Sequence, residues 1–167
     1  VFGAQAVNLH GFPRATADLD LTIELGTLTP AMLLAKLTSA GFTPRFADPA
    51  FIAAAQVIPV VHDATGLPID LVLAGSGLEQ QFLDELVIKR IAGSEVPVLS
   101  PENLVITKLL AARPKDLEDI RELLAIQSLD HAHIDRLLKL LEQALDQRDL
   151  RELYRKLRNE RSRNPDR

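Results

Sequence analysis

The chain of 167 residues contains no cysteine. That excludes disulfides, thiolate nucleophiles and thiolate metal sites. Tryptophan is also absent, tyrosine and methionine occur once each, and aromatic residues make up only 4% of the chain. So sparse a set argues against an aromatic platform on which single-stranded nucleic acid stacks. No apolar run is long enough to cross a bilayer. The formal net charge is −4, not the basic balance expected of a general nucleic-acid binder. The charge is uneven, and from Arg148 to Arg167 basic residues outnumber acidic ones. That stretch reads either as a hold on an RNA backbone or as a solvated helix end running into disorder. The absence of cysteine fits a cytoplasmic protein. Val1-Phe2-Gly3 reads as the tail of a strand cut short, with residues missing upstream.

What is present suffices for a packed core, since 47% of residues are hydrophobic. The residues from Asp18 to Leu25 alternate as a strand, with Leu19, Leu21 and Ile23 on its buried face. Thr29-Pro30 predicts a helix start, Met32, Leu33, Leu34 and Leu37 its apolar stripe, and Gly41 its end. Another short helix is expected over 49–56. Val57–His62 and Ile69–Ala74 read as strands joined by a hairpin, and 86–91 and 96–99 as edge strands. Beyond Ser100-Pro101 the chain turns helical. One helix carries Leu104, Lys108 and Ala112, and a second runs from Pro114 to Leu124. A third has a stripe at Ile134, Leu137, Leu138, Leu141 and Leu145, and a last carries Leu150, Leu153 and Leu157. The layout is α+β. Residues 1–99 form a mixed sheet with flanking helices, 100–160 a helical C-terminal part, and 161–167 a disordered basic tail.

Asp18-Leu19-Asp20 is the pair that carries chemistry. A strand has a side-chain period of two, so both carboxylates project from one face. Side by side they repel unless a cation lies between them. Hard divalent ions prefer such oxygen ligands and also take phosphate oxygens. Asp70 lies in the otherwise apolar strand Pro68-Ile69-Asp70-Leu71-Val72-Leu73-Ala74. An acid there asks for a partner, or else faces water from an edge strand.

Together, Gly3-Ala4-Gln5-Ala6, His10-Gly11, Arg14-Ala15-Thr16 and Asp18-Leu19-Asp20 resemble the opening of nucleotidyltransferases of the DNA polymerase β-like superfamily. The nearest resemblance is to minimal enzymes related to the AbiEii-type toxins. The resemblance implies a polymerase β-like fold and transfer of a nucleoside monophosphate from an NTP to a hydroxyl. It implies Asp18, Asp20 and Asp70 as catalytic residues and as ligands of Mg²⁺ or Mn²⁺. It also implies that Gly3 and Ala4 open a helix against the phosphates, though Ala4 lacks the hydroxyl of the usual Gly-Ser. Arg14 would fork onto phosphate oxygens. Thr16 reads equally as a turn cap or a phosphate contact. Lys108 reads equally as a phosphate contact or a solvated helix face. Lys115, Asp116 and Asp119 read as charges decorating a helix start. His10 closes the short helix, and His131 and His133 lie too badly spaced to share a metal. An RNA acceptor with a cognate antitoxin follows from the toxin resemblance. A small-molecule antibiotic acceptor follows from aminoglycoside and lincosamide nucleotidyltransferases, which open alike. A catalytically degenerate binding or regulatory module is the third reading.

Overall fold

A computed structural model describes residues 1–75, 77–126, 128–146 and 149–163, the side chains of 162 and 163 excepted. Among these residues the chain folds as two compact units, Val1–Ala6 with Arg14–Val98, and Val7–Pro13 with Leu99–Arg167. Helix α1 (Gly3–Leu9) contributes to both. No helix among the described residues is long and apolar enough to cross a membrane. The expected tail lies largely outside the described residues, except that the last helix runs on to Arg163.

The first unit is built on a four-stranded mixed sheet of order β1-β4-β3-β2. Its strands are β1 (Leu19–Ile23), β2 (Phe42–Pro44), β3 (Val57–His62) and β4 (Leu67–Leu73). β1 and β4 are parallel; the other pairs are antiparallel. Between β1 and β2 runs α2 (Pro30–Ser39), capped by Thr29, whose hydroxyl accepts from the Met32 amide. Between β2 and β3 runs α3 (Pro49–Ala55), capped by Asp48. Leu19, Leu21 and Ile23 lie with Ile58, Val60, Ile69, Leu71 and Leu73 in one apolar cluster, joined by Ile52 of α3 and Leu33, Leu34 and Leu37 of α2. Strand alternation therefore sends the aspartates of β1 and β4 to the opposite face. The β3–β4 hairpin closes where Gly66, at φ +70°, donates its N–H to the His62 carbonyl.

Besides the three-residue β2, two features depart from the sequence reading. The stretches at 86–91 and 96–99 do not join the main sheet. As β5 (Val87–Ile91) and β6 (Ser94–Val98) they pair with each other across the two-residue turn Ala92-Gly93. A tight hairpin satisfies its backbone groups locally, with both turn residues at positive φ. A short helix, α4 (Leu78–Asp84), precedes them. Too few turns are present there for helical periodicity to register.

The second unit holds α5 (Pro101–Ala111), α6 (Pro114–Ile126), α7 (His131–Leu145) and α8 (Leu150–Arg163). α5 is its centre, packing against α6, α7 and α8. Leu104, Val105, Ile106 and Leu109 are fully buried. Helix α5 starts where the Ser100 hydroxyl accepts from the Asn103 amide at 3.2 Å. It ends one residue before Ala112, which takes a left-handed cap conformation and is exposed. Ala112 therefore does not extend the stripe of Leu104 and Lys108. Replacing Ser100 by Ala removes that cap and should lower stability by about 1 kcal/mol, read from the urea midpoint at unchanged slope.

Candidate active site

The parallel pairing of β1 with β4 puts Asp20 directly opposite Asp70. Asp18 lies just before β1 and completes the group. One carboxylate oxygen from each of Asp18, Asp20 and Asp70 lies within 4.8 Å of the other two. β4 is an inner strand, so Asp70 is not the water-facing acid of a sheet edge. It nonetheless reaches solvent at the sheet surface, with 33% of its side chain exposed.

Each aspartate has a neighbour that holds it. The Thr16 hydroxyl donates to Asp18 Oδ1 at 2.7 Å, which favours turn capping among the two readings of Thr16. Phe2 donates its N–H to the Asp20 carbonyl at 3.1 Å and forms an antiparallel bridge with that residue. That bridge brings Gly3 against the Asp20 side chain. Gly3 sits at φ +65°, and a Cβ there would stand 2.7 Å from Asp20 Cγ. Only glycine meets both demands, a left-handed backbone and a carboxylate where a side chain would go. Ala4 follows, buried in the first turn of α1. Arg14 is half-buried on the loop leading to β1.

Arg45, which no sequence motif contains, is the further member of the site. Its guanidinium Nη2 pairs with Asp70 Oδ1. Arg45 follows directly on β2, a strand of three residues that sequence patterning does not register.

The donor set fits a divalent ion. Three carboxylate oxygens at this mutual spacing can be bridged by one ion whose oxygen ligands lie at ~2.1–2.4 Å, and hard oxygens suit Mg²⁺ or Mn²⁺. No thiolate or imidazole belongs to the cluster, which disfavours zinc.

In the second unit Lys108 does not lie on a solvated helix face. It is 5% exposed, and its ammonium lies 2.5 Å from Asp119 and 3.6 Å from Asp116. Asp116 and Asp119 are buried as well, rather than decorating a solvated helix start. The helix face that carries them turns inward against α5, so the charges pair across the helix interface. Burial alone would raise the Asp116 pKa. The hydrogen bonds from Arg113 and the nearby Lys108 ammonium outweigh it and hold the carboxyl below its usual range. His10 is also buried; its Nε2 donates to the Leu99 carbonyl at 2.8 Å.

Two likenesses to known proteins bear on the family and the fold. Residues 1–163 match the model of a family described as "Nucleotidyltransferase of unknown function (DUF6036)". The chain belongs to that family. Its structure is similar to that of an antigenic nucleotidyltransferase-like protein from Paracoccidioides brasiliensis, at 18% sequence identity and a TM-score of 0.50. The similarity covers 92% of this chain and 81% of that one, and at such identity it speaks for the fold. No curated protein matches the sequence. A nucleotidyltransferase family, an α+β architecture with a mixed sheet, and a three-carboxylate cluster on that sheet are therefore mutually consistent.

Two outcomes test these contacts. Gly3→Val should force Asp20 aside and raise strain at a left-handed position, lowering the melting temperature and weakening Mn²⁺ binding together. Lys108→Ala should remove the cation that pairs with buried Asp119 and lies near Asp116, and destabilise the chain by about 3–5 kcal/mol in denaturant titrations near neutral pH. The depressed Asp116 carboxyl favours the folded state above its ordinary value of 3.8. That contribution fades as pH falls through the lower folded value, because the unfolded chain binds the proton first. The stability gap between wild type and Lys108→Ala should therefore narrow in acid.

Proposed function

We propose that the chain transfers a nucleoside monophosphate from an NTP to a hydroxyl acceptor, at Asp18, Asp20 and Asp70. The observation that carries the reading is the convergence of three carboxylate oxygens within 4.8 Å on one sheet face. Family membership supplies the reaction class. The acceptor oxygen attacks the α-phosphorus, the bond to the bridging oxygen breaks, and pyrophosphate leaves. Bound at the aspartates, divalent ions would neutralise triphosphate charge and lower the pKa of the acceptor hydroxyl.

The residues divide the work. Asp18 and Asp20 hold the nucleotide side, and Asp70 accepts the proton from the acceptor. Thr16 acts through Asp18, keeping its carboxylate turned toward the cluster. Gly3 and Ala4 present a surface without bulk beside Asp20, and Arg14 lies on the loop before β1; all three are assigned to the triphosphate. Lys108 is left in its ion pair. Catalysis of this kind is mostly positioning and electrostatics, so side chains set before substrate arrives matter more than any single reactive group.

The test is incubation with each α-labelled NTP, Mg²⁺ and either RNA or small hydroxyl compounds. Label should move to one acceptor class with release of pyrophosphate. Asp20→Asn should abolish transfer, a loss of more than about a thousandfold, while circular dichroism and melting stay near wild type. Transfer to RNA should fall steeply with salt, since phosphate contacts release counterions, whereas an uncharged small acceptor should show little dependence. Wild-type protein that releases no pyrophosphate with any acceptor, or Asp20→Asn protein that keeps its rate, overturns the reading.

A further inference from the structure

The pairing of Arg45 with Asp70 is not needed by the chemistry above, and at first sight it opposes it. A carboxylate expected to face a divalent ion already holds a cation. The backbone explains how that cation gets there. Arg45 donates its N–H to the Pro59 carbonyl at 2.8 Å, and Pro59 stands opposite Asp70 in the β3–β4 register. Asp20, Asp70 and Pro59 thus form one row across three neighbouring strands, and Arg45, just past the end of β2, hydrogen-bonds to Pro59 at the end of that row. Pro59 has no long side chain to stand between its neighbours, so the guanidinium crosses it to reach Asp70. Pro59 also lacks the N–H that would answer the Arg45 carbonyl, which is why β2 stops at Pro44 and Arg45 leaves the ladder.

The contact is built to exchange. Arg45 is 37% exposed and Asp70 33% exposed, so water screens the pair and its net strength is that of a surface ion pair. A divalent ion carries twice the charge and meets three carboxylates rather than one. The guanidinium fork, once released, matches phosphate oxygens bidentately.

We propose that Arg45 is a resident counter-cation of the acid cluster, displaced from Asp70 by the divalent ion and then turned onto the phosphates of the nucleotide. The proposal rests on the nucleotide and metal reading of the site. In the free protein Arg45 relieves the repulsion between Asp20 and Asp70. On loading, it moves from the acid to the substrate, so metal and nucleotide arrive together at low cost in charge. Arg45 acts on metal binding through Asp70 and is there a positioning residue.

Binding measurements on the full chain separate this from a merely structural salt bridge. Mn²⁺ affinity is read without nucleotide from the electron paramagnetic resonance of the free ion. Affinity for a non-hydrolysable α,β-methylene NTP is read by calorimetry at saturating Mg²⁺. Arg45→Gln should bind Mn²⁺ about 2- to 5-fold tighter, because its competitor is gone. The same variant should bind the NTP analogue about 10- to 100-fold more weakly. Arg45→Lys keeps the charge but not the fork, so Mn²⁺ affinity should return to wild type while analogue binding stays impaired. Unchanged or weaker Mn²⁺ binding by Arg45→Gln, or unchanged analogue binding, overturns the proposal. Wild-type protein that binds no Mn²⁺ at all overturns it together with the metal site. Both Arg45→Gln effects, found with wild-type protein that transfers nothing, support the exchange and remove only the transferase reading.

Discussion

Two like charges placed side by side govern the first unit. The parallel pairing of β1 with β4 sets Asp20 opposite Asp70, with Asp18 close by. Carboxylates so close repel one another unless donors and cations compensate. The surroundings supply compensation piece by piece. Thr16 donates to Asp18, and Arg45 pairs with Asp70. Gly3 gives up a side chain so that the Asp20 carboxylate has room. The apolar cluster on the opposite face keeps the two strands in register.

The buried charges of the second unit obey a different rule. Lys108, Asp116 and Asp119 are almost wholly removed from water, and they persist there because they are paired. Arg113 adds hydrogen bonds from its backbone and its guanidinium to Asp116, closing the turn into α6. The network ties α5 to α6 within one unit. The aspartates of the first unit, by contrast, keep solvent access and so remain available to a ligand. Burial is what distinguishes a charge that holds helices from a charge that can exchange partners.

Most elements of the fold were legible because their signals are local. Thr29-Pro30 and Ser100-Pro101 each combine a side-chain cap with a proline at the first helical position, and each starts a helix. The alternation of Leu19, Leu21 and Ile23 identified the face of β1. β2, at three residues, and α4, at seven, were missed because neither spans enough repeats to show a period. The burial of Lys108 was not legible for another reason. A lysine at helical spacing looks the same whether its partner is water or an aspartate on the next helix.

By itself, the sequence determined that Asp18 and Asp20 share a face, because a strand's period of two follows from backbone geometry alone. It also marked Asp70 as an acid inside an apolar strand. That β4 lies beside β1, in the register that sets Asp70 against Asp20, was decided by the tertiary structure. So was the passage of Arg45 over Pro59 to the same carboxylate, across 25 residues of chain. Register between distant strands depends on burying one whole apolar face at once, a condition that no local window contains.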